Sequence, residues 1–474
     1  MSIAPIIKVR EVASFVQMVE TRMPFRYGAA KLVRCPHLYV VATIEDAQGR
    51  IARGIAADNL PPKWFDKDPQ KSYAQELTDQ IQVAQWAAQA AQDEKATTSL
   101  QLWIAIFKVT RQLAQAAGLP PLLAGFGPSL MERAINDAVG HQLNLPFHQL
   151  LRSGALGFNP QRLLPPAPLD SVSVRHTIGL SDPIRTTNIA PDDRVCDGLP
   201  QSLEEVIKYY GVRYFKIKVQ NDLEQDLDRL TAIAALLEEQ LPHTAYHCTL
   251  DGNEQYSAFE ELLPLLQELR SCPNLERLAN SVLFIEQPLA RSQALDPQSC
   301  VDIKNITRLF PVIIDESDDS TDAFWRALQL GYSGTSHKNC KGTFKSVLNV
   351  KNLKQAMEET NRPLIISAED LTNIGCVALH QDLVALSALG ITHAERNGHH
   401  YFRGLSHLST EDQQRAMQAH PDLYCAGDNY VRLDIRDGNI KCRSLHETPG
   451  LGVGAWPSLD NCMPAAAFDP SALE

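Results

Sequence analysis

The chain has no paired-cysteine pattern: its ten cysteines are scattered singly, with no C-x-x-C pair and no dense framework. That speaks against structural disulfides and against a structural zinc centre. No run of 18 apolar residues occurs, and Met1-Ser2-Ile3-Ala4-Pro5 is not a charged segment leading into an apolar core. Neither a membrane span nor a secretory leader is therefore expected. Basic charge is not in excess either: 44 Lys and Arg stand against 56 Asp and Glu, a net charge of −12. This argues against a general nucleic-acid or anionic-membrane binder. Low-complexity segments and short-period repeats are also lacking. These absences leave a cytoplasmic protein whose partners are small molecules and, in a homo-oligomer, copies of itself.

What is present is length and apolar content. The 474 residues, 44% of them hydrophobic, exceed one small domain and can build a large core. Leu38 to Ile44 and Ile51 to Ala56 flank a turn at Asp46-Ala47-Gln48-Gly49 and read as a hairpin. The texture is helical from about 70 to 150, most clearly over Ala84–Gln92 and Ser129–Leu143. From about 170 strands and helices alternate, the signature of a parallel sheet. Eight strand candidates follow: Ser171–Thr177, Tyr214–Val219, those ending at Asp251, Glu286 and Asp315, then Gly334–Lys338, Pro363–Ala368 and Gly390–Glu395. The polar, Pro-rich stretch 181–200 reads as an inserted loop. Alternation returns at Tyr430–Ile435, which suggests that the tail rejoins the N-terminal part.

The expected fold class is α/β: a (β/α)8-type TIM barrel over 166–405, with an α+β capping domain formed by residues 1–165 and the returning segment 406–474. Charged residues at the C-terminal ends of successive buried strands are where such a barrel keeps its active site. Lys216 and Lys218, two apart on a strand, point to one face and raise the cost of protonating each other. Asp251, Glu286 and Asp315 end three successive strands, and carboxylates set side by side repel unless a cation joins them. An all-oxygen set favours magnesium or manganese over zinc. Periodicity alone leaves open whether Asp315 or Glu316 turns inward. Lys338 follows the next strand, across the barrel from Lys218. His337, adjacent to it, should face away. Taken singly, each carboxylate could be a helix cap and each lysine a solvated strand end; it is their recurrence at matching strand ends that favours a metal-assisted site for carbon-acid chemistry.

The series Lys-x-Lys, Asp-x-Asn, Glu-Gln-Pro, Asp-Glu-Ser and a later Lys resembles the enolase superfamily, specifically its muconate lactonizing enzyme-like branch. Pro24-Phe25-Arg26-Tyr27-Gly28 is similar to that branch's mobile capping loop, Glu132 to Ala138 to the helix leading into the barrel, and Pro449 to Val453 to its terminal segment. The resemblance implies Asp251, Glu286 and Asp315 as Mg2+ (or Mn2+) ligands, Lys218 and Lys338 as the acid/base pair, and Lys216 as an electrostatic helper. It implies abstraction of the proton α to a carboxylate through a stabilised enolate, in racemisation, epimerisation or cycloisomerisation of a small carboxylate. The alternatives are β-elimination, as in dehydratases or o-succinylbenzoate synthase, and a catalytically silent binding protein. A His–Asp dyad of the mandelate racemase kind is missing from Pro363 to Glu369. Glu395-Arg396-Asn397-Gly398-His399-His400 replaces the Asp-x-Asp of dipeptide epimerases, which speaks against a dipeptide substrate. Candidate substrate contacts are Phe25, Arg26, Tyr27, Asn253, Glu369, Glu395, Arg396 and His399. Cys340 reads as an unreactive, partly exposed thiol, and Gly450 to Gly454 lacks the strand–helix context of a dinucleotide site.

Overall fold

The computed structural model describes residues 4–27 and 30–473. Three long antiparallel strands, β1 (Ile7–Tyr27), β2 (Ala30–Asp46) and β3 (Ile51–Asn59), form the first sheet. The hairpin expected from Leu38 to Ala56 is the β2–β3 pair. The strand before it, β1, is largely half-buried, with no sharp alternation of buried and exposed residues. Pro24–Tyr27, expected as a loop, is instead the end of β1. After a register shift beyond Glu20, Phe25, Arg26 and Tyr27 pair with Leu32, Lys31 and Ala30. Gly28 of that motif lies outside the described residues.

Helices α1 (Tyr73–Asp93) and α4 (Phe126–Leu143) pack on this sheet, and α2 (Ser99–Ala116) and the single turn α3 (Pro121–Ala124) pack on those helices. The backbone of β3 touches α4 so closely at Gly54 that a Cβ there would lie 2.2 Å from the Ala134 carbonyl oxygen. Helix α4 is buried from Phe126 to Gly140, and its polar residues join the parts of the chain. Arg133 pairs with Asp58 and donates to the Ala57 carbonyl (2.9 Å) and to Gln381 (3.2 Å). Asp137 accepts from the Ile55 and Leu451 amides (3.0 and 2.7 Å), and Glu132 from Phe344 (2.6 Å). The Glu132–Ala138 and Pro449–Val453 motifs are thus structural seams.

The second sheet holds β4 (Ser171–Ile178), β5 (Tyr214–Lys218), β6 (His247–Asp251), β7 (Val282–Glu286), β8 (Val312–Ile314), β9 (Gly334–His337), β10 (Ile365–Ala368) and β11 (His393–Glu395). They run in the order β10-β9-β8-β7-β6-β5-β4-β11, each adjacent pair parallel, and the end strands β10 and β11 pack side by side. Helices between the strands cover them, as parallel strands apolar on both faces require. Register aligns the strand ends: Lys218 is level with Asp251, and Asp251 with Glu286.

The tail differs in part from expectation. Asn439–Lys441 pairs antiparallel with Ser171–Ser173 of β4, because β5 does not reach β4 before Arg175 and leaves that edge open. Only Met463 and Pro464 add to the first sheet, opposite Val16 and Phe15. Residues 181–200 are indeed an irregular excursion, with two short 3-10 turns. Among the described residues no helix is long and apolar enough to cross a membrane.

Candidate active site

The C-terminal ends of the parallel strands enclose a cavity of about 50 Å3. Lys216, Lys218, Asp315, Lys338, Glu369 and Glu395 line it from the second sheet, and Phe25, Tyr27 and Trp64 from the N-terminal part. The strand alternation of β1 turns Phe25 and Tyr27 inward. Arg26 between them is exposed, so the expected substrate contact at Arg26 points away.

Lys216 Nζ, 2% exposed, lies 2.8 Å from Asp251, 2.9 Å from both Glu286 and Glu369, and 2.7 Å from Glu395. Burial disfavours its charge, but the four carboxylates outweigh that and hold its pKa well above the ordinary lysine value. Lys218 Nζ is 2.5 Å from Asp251. On the far wall, four strands away, Lys338 Nζ is 2.7 Å from Asp315, 3.2 Å from Glu369 and 4.6 Å from the centre of the Trp64 ring. Behind it Lys341 holds Asp315 Oδ1 at 2.9 Å. Lys338 and Lys341 outweigh burial and keep Asp315 well below the carboxylate range. Gln287, whose backbone takes φ +34°, accepts the Asp315 amide at 2.8 Å, which fixes Asp315 inward. Glu316 is buried beside it with its pKa pushed up to about 7 by burial, then by Asp315 and Glu254.

Among the described residues, the carboxylates of Glu286, Asp315 and Glu369 bring oxygens within 4.8 Å of one another. Asp251, expected in that set, has Oδ2 on Lys216 and Lys218 and Oδ1 on the Asn253 amide (2.8 Å). The trio fits a hard cation. Burial and then Glu369 push Glu286 well above the carboxylate range, and its buried Oε2 has no hydrogen-bond partner. An all-oxygen set of three carboxylates, one with an unpartnered oxygen, suits magnesium or manganese.

Asn253 and Glu395 reach the cavity as expected; Glu395 also accepts from Thr177 (2.5 Å) and Asn397 (2.7 Å). Arg396 and His399 do not. Arg396 is turned inward onto Asp370 (3.0 Å) and Asp382 (3.2 Å). His399 stacks near His176 and Tyr210, with both ring nitrogens unpartnered, and borders a separate 30 Å3 void. His337 faces away and meets Ser346 at 2.6 Å. Cys340 is fully buried rather than partly exposed, and burial raises its pKa. Two participants had gone unnoticed. Arg175 on β4 holds Glu369 Oε1 at 3.1 Å, and its signal was a charge inside an otherwise strand-like run. Trp64, in a loop, gave none.

No family model matches the chain, and no curated protein matches it. Solved structures do. The muconate lactonizing enzyme of Pseudomonas fluorescens, complexed with muconolactone, superposes with a TM-score of 0.61 at 16% identity, over 96% of this chain and 97% of that one. A dipeptide epimerase of Enterococcus faecalis, complexed with Mg and L-Leu-L-Tyr, gives 0.59 at 16%, over 94% and 99%. An N-succinyl Arg/Lys racemase of Bacillus cereus gives 0.59 at 18%, over 94% and 95%. The fold is that of these muconate lactonizing, epimerase and racemase structures. At these identities the likeness carries the fold, and the chemistry has to be argued from the residues.

Proposed function

We propose that the chain is an isomerase or lyase that abstracts the proton α to the carboxylate of a small substrate, in racemisation, epimerisation or cycloisomerisation. In this reading the second sheet is a (β/α)8 barrel over residues 166–405, capped by residues 1–165 and the 406–474 tail. The observation that carries it is the pair Lys218 and Lys338, which line one cavity from β5 and from the end of β9 with the acidic trio between them. An amine on one wall can take the proton from the tetrahedral α-carbon, and an ammonium on the opposite wall can give one to the other face of the planar enolate carbon that results. Lys216, bound to four carboxylates, holds the acidic floor together and offsets charge that builds on the substrate. Phe25, Tyr27 and Trp64 keep water from the reacting carbon.

Glu286 and Asp315 would hold the Mg2+, with Asp251 or Glu369 as the third ligand. When bound there, the cation supplies Lewis-acid stabilisation of negative charge on carboxylate oxygens. β-Elimination would use the same residues with one lysine as a charge stabiliser.

The test is incubation with Mg2+ in deuterated water and pooled N-acyl amino acids, dipeptides, hydroxy acids and sugar acids. A one-mass-unit gain that disappears with chelator and in Lys218→Ala or Lys338→Ala supports the reading. No gain on any compound, with Mg2+ shown by calorimetry to bind, refutes it. Calorimetry on Asp251→Asn and Glu369→Gln assigns the third ligand to whichever loses Mg2+ affinity.

A further inference from the structure

The reaction cavity is small, about 50 Å3, so a substrate larger than its reacting end extends beyond it. A second cavity of about 360 Å3 opens beside it, and the two share Tyr27, Trp64, Asn253 and Glu316. Two lysines also line the second cavity, and both are matched. Lys63 lies on Glu76 and on the Asp68 and Lys71 carbonyls; Lys67 lies on Glu254 and on the Asn253 carbonyl. Arg291, which shares Glu254, has its remaining donors on the Trp64 and Phe65 carbonyls.

Glu316 has no such contact, although Lys67 and Lys338 act on it from a distance. It is 2% exposed, makes no ion pair or hydrogen bond among the described residues, and its Oε2 is fully enclosed. Nor does it belong to the Glu286–Asp315–Glu369 trio. A buried carboxylate without a partner is disfavoured until a cation or a donor meets it. The Tyr27 ring in the same wall favours a cation too, whereas the Trp64 ring already faces Lys338.

We infer that the second cavity receives the far end of the substrate and that Glu316 binds an ammonium group there. The preferred substrates are then carboxylates that carry a free amine away from the reacting carbon. A neutral tail would leave Glu316 unmatched, and an anionic tail would meet it with like charge. The inference rests on the small cavity being the place where the carboxylate reacts.

Calorimetry in Mg2+ tests it, with ω-amino acids of four to eight carbons, their N-acetyl derivatives and the corresponding unsubstituted acids as probes. The amino acid of best length should bind about 10- to 100-fold more tightly than its N-acetyl form, the worth of a charge-assisted contact. In Glu316→Gln and Glu316→Leu that preference should vanish, with thermal stability at least that of the unaltered protein. Equal binding of the three probe classes, no binding by any amine, or a preference that persists in both variants overturns the inference. Deuterium exchange run alongside separates the two ideas. An amine preference without exchange refutes the proposed reaction alone, and exchange without an amine preference refutes the ammonium site alone.

Discussion

Arg22 offers the sharpest test of how the hairpin tip that carries Phe25 and Tyr27 is held over the site. Its guanidinium, 3% exposed, grips Asp197 of the 181–200 excursion at 2.5 and 2.7 Å. It also donates to the carbonyls of Pro200 and His400 (both 3.1 Å) and of Leu199 (3.2 Å). The same excursion supplies Asp182, which accepts from the Tyr401 hydroxyl at 3.0 Å, and Tyr401 stacks on Phe25 with ring centres 4.1 Å apart. The excursion therefore straps β1 to the short helix after β11. Removing one partner of a buried ion pair costs about 3–5 kcal/mol, and since Asp197 keeps 10% exposure the lower end applies, about 3 kcal/mol. That is roughly a 150-fold rise in local opening, while a domain of ordinary stability stays folded. Hydrogen–deuterium exchange of Arg22→Ala should show that acceleration in peptides covering residues 15–27, 195–204 and 397–403, with α4 unchanged. Asp197→Asn should give a smaller effect in the same peptides. Unchanged exchange there, or a uniform acceleration over the whole chain, would refute the strap.

Two further perturbations follow from buried charges. Burial raises the Glu132 pKa to about 8 against backbone hydrogen bonds that lower it. Its folded pKa exceeds the unfolded one, so folding loses stability as pH rises from about 4.5 to about 8. Glu132→Gln should remove that loss, with a thermal-melt advantage that grows across this window by at most about 1.4 kcal/mol per pH unit; a difference independent of pH would sink the argument. Lys341 neutralises Asp315 from behind, so Lys341→Met should cost about 3 kcal/mol without metal. Mg2+ should restore more of the melting temperature in this variant than in the unaltered protein, because the cation replaces the missing charge. Equal Mg2+ shifts in both proteins would contradict a shared Asp315.

The parts of the site that follow strand periodicity were legible in the sequence. Lys216, Lys218, Glu286 and Asp315 end apolar runs, and two-residue alternation or strand order sends them to one place. The exchange of Asp251 for Glu369 in the carboxylate trio was not legible, because it depends on the second lysine, Lys218, being drawn to Asp251. That is a matter of side-chain reach. Arg26 and His399 failed for a related reason: a motif places a residue near a site, but strand alternation at Arg26 and the turn of the short helix Gly398–Tyr401 at His399 point the side chains elsewhere. The 181–200 excursion shows the opposite limit. Its polar, Pro-rich composition correctly excluded a helix or strand, yet composition says nothing of the Arg22–Asp197 grip, which joins residues far apart in the chain. Glu316 lies between these cases. The sequence left it level with Asp315, and Gln287 broke the tie by taking the Asp315 amide. The neighbouring carboxylate was left unpaired in a wall shared by two cavities, where selectivity for a substrate's far end can be built without disturbing the residues that move the proton.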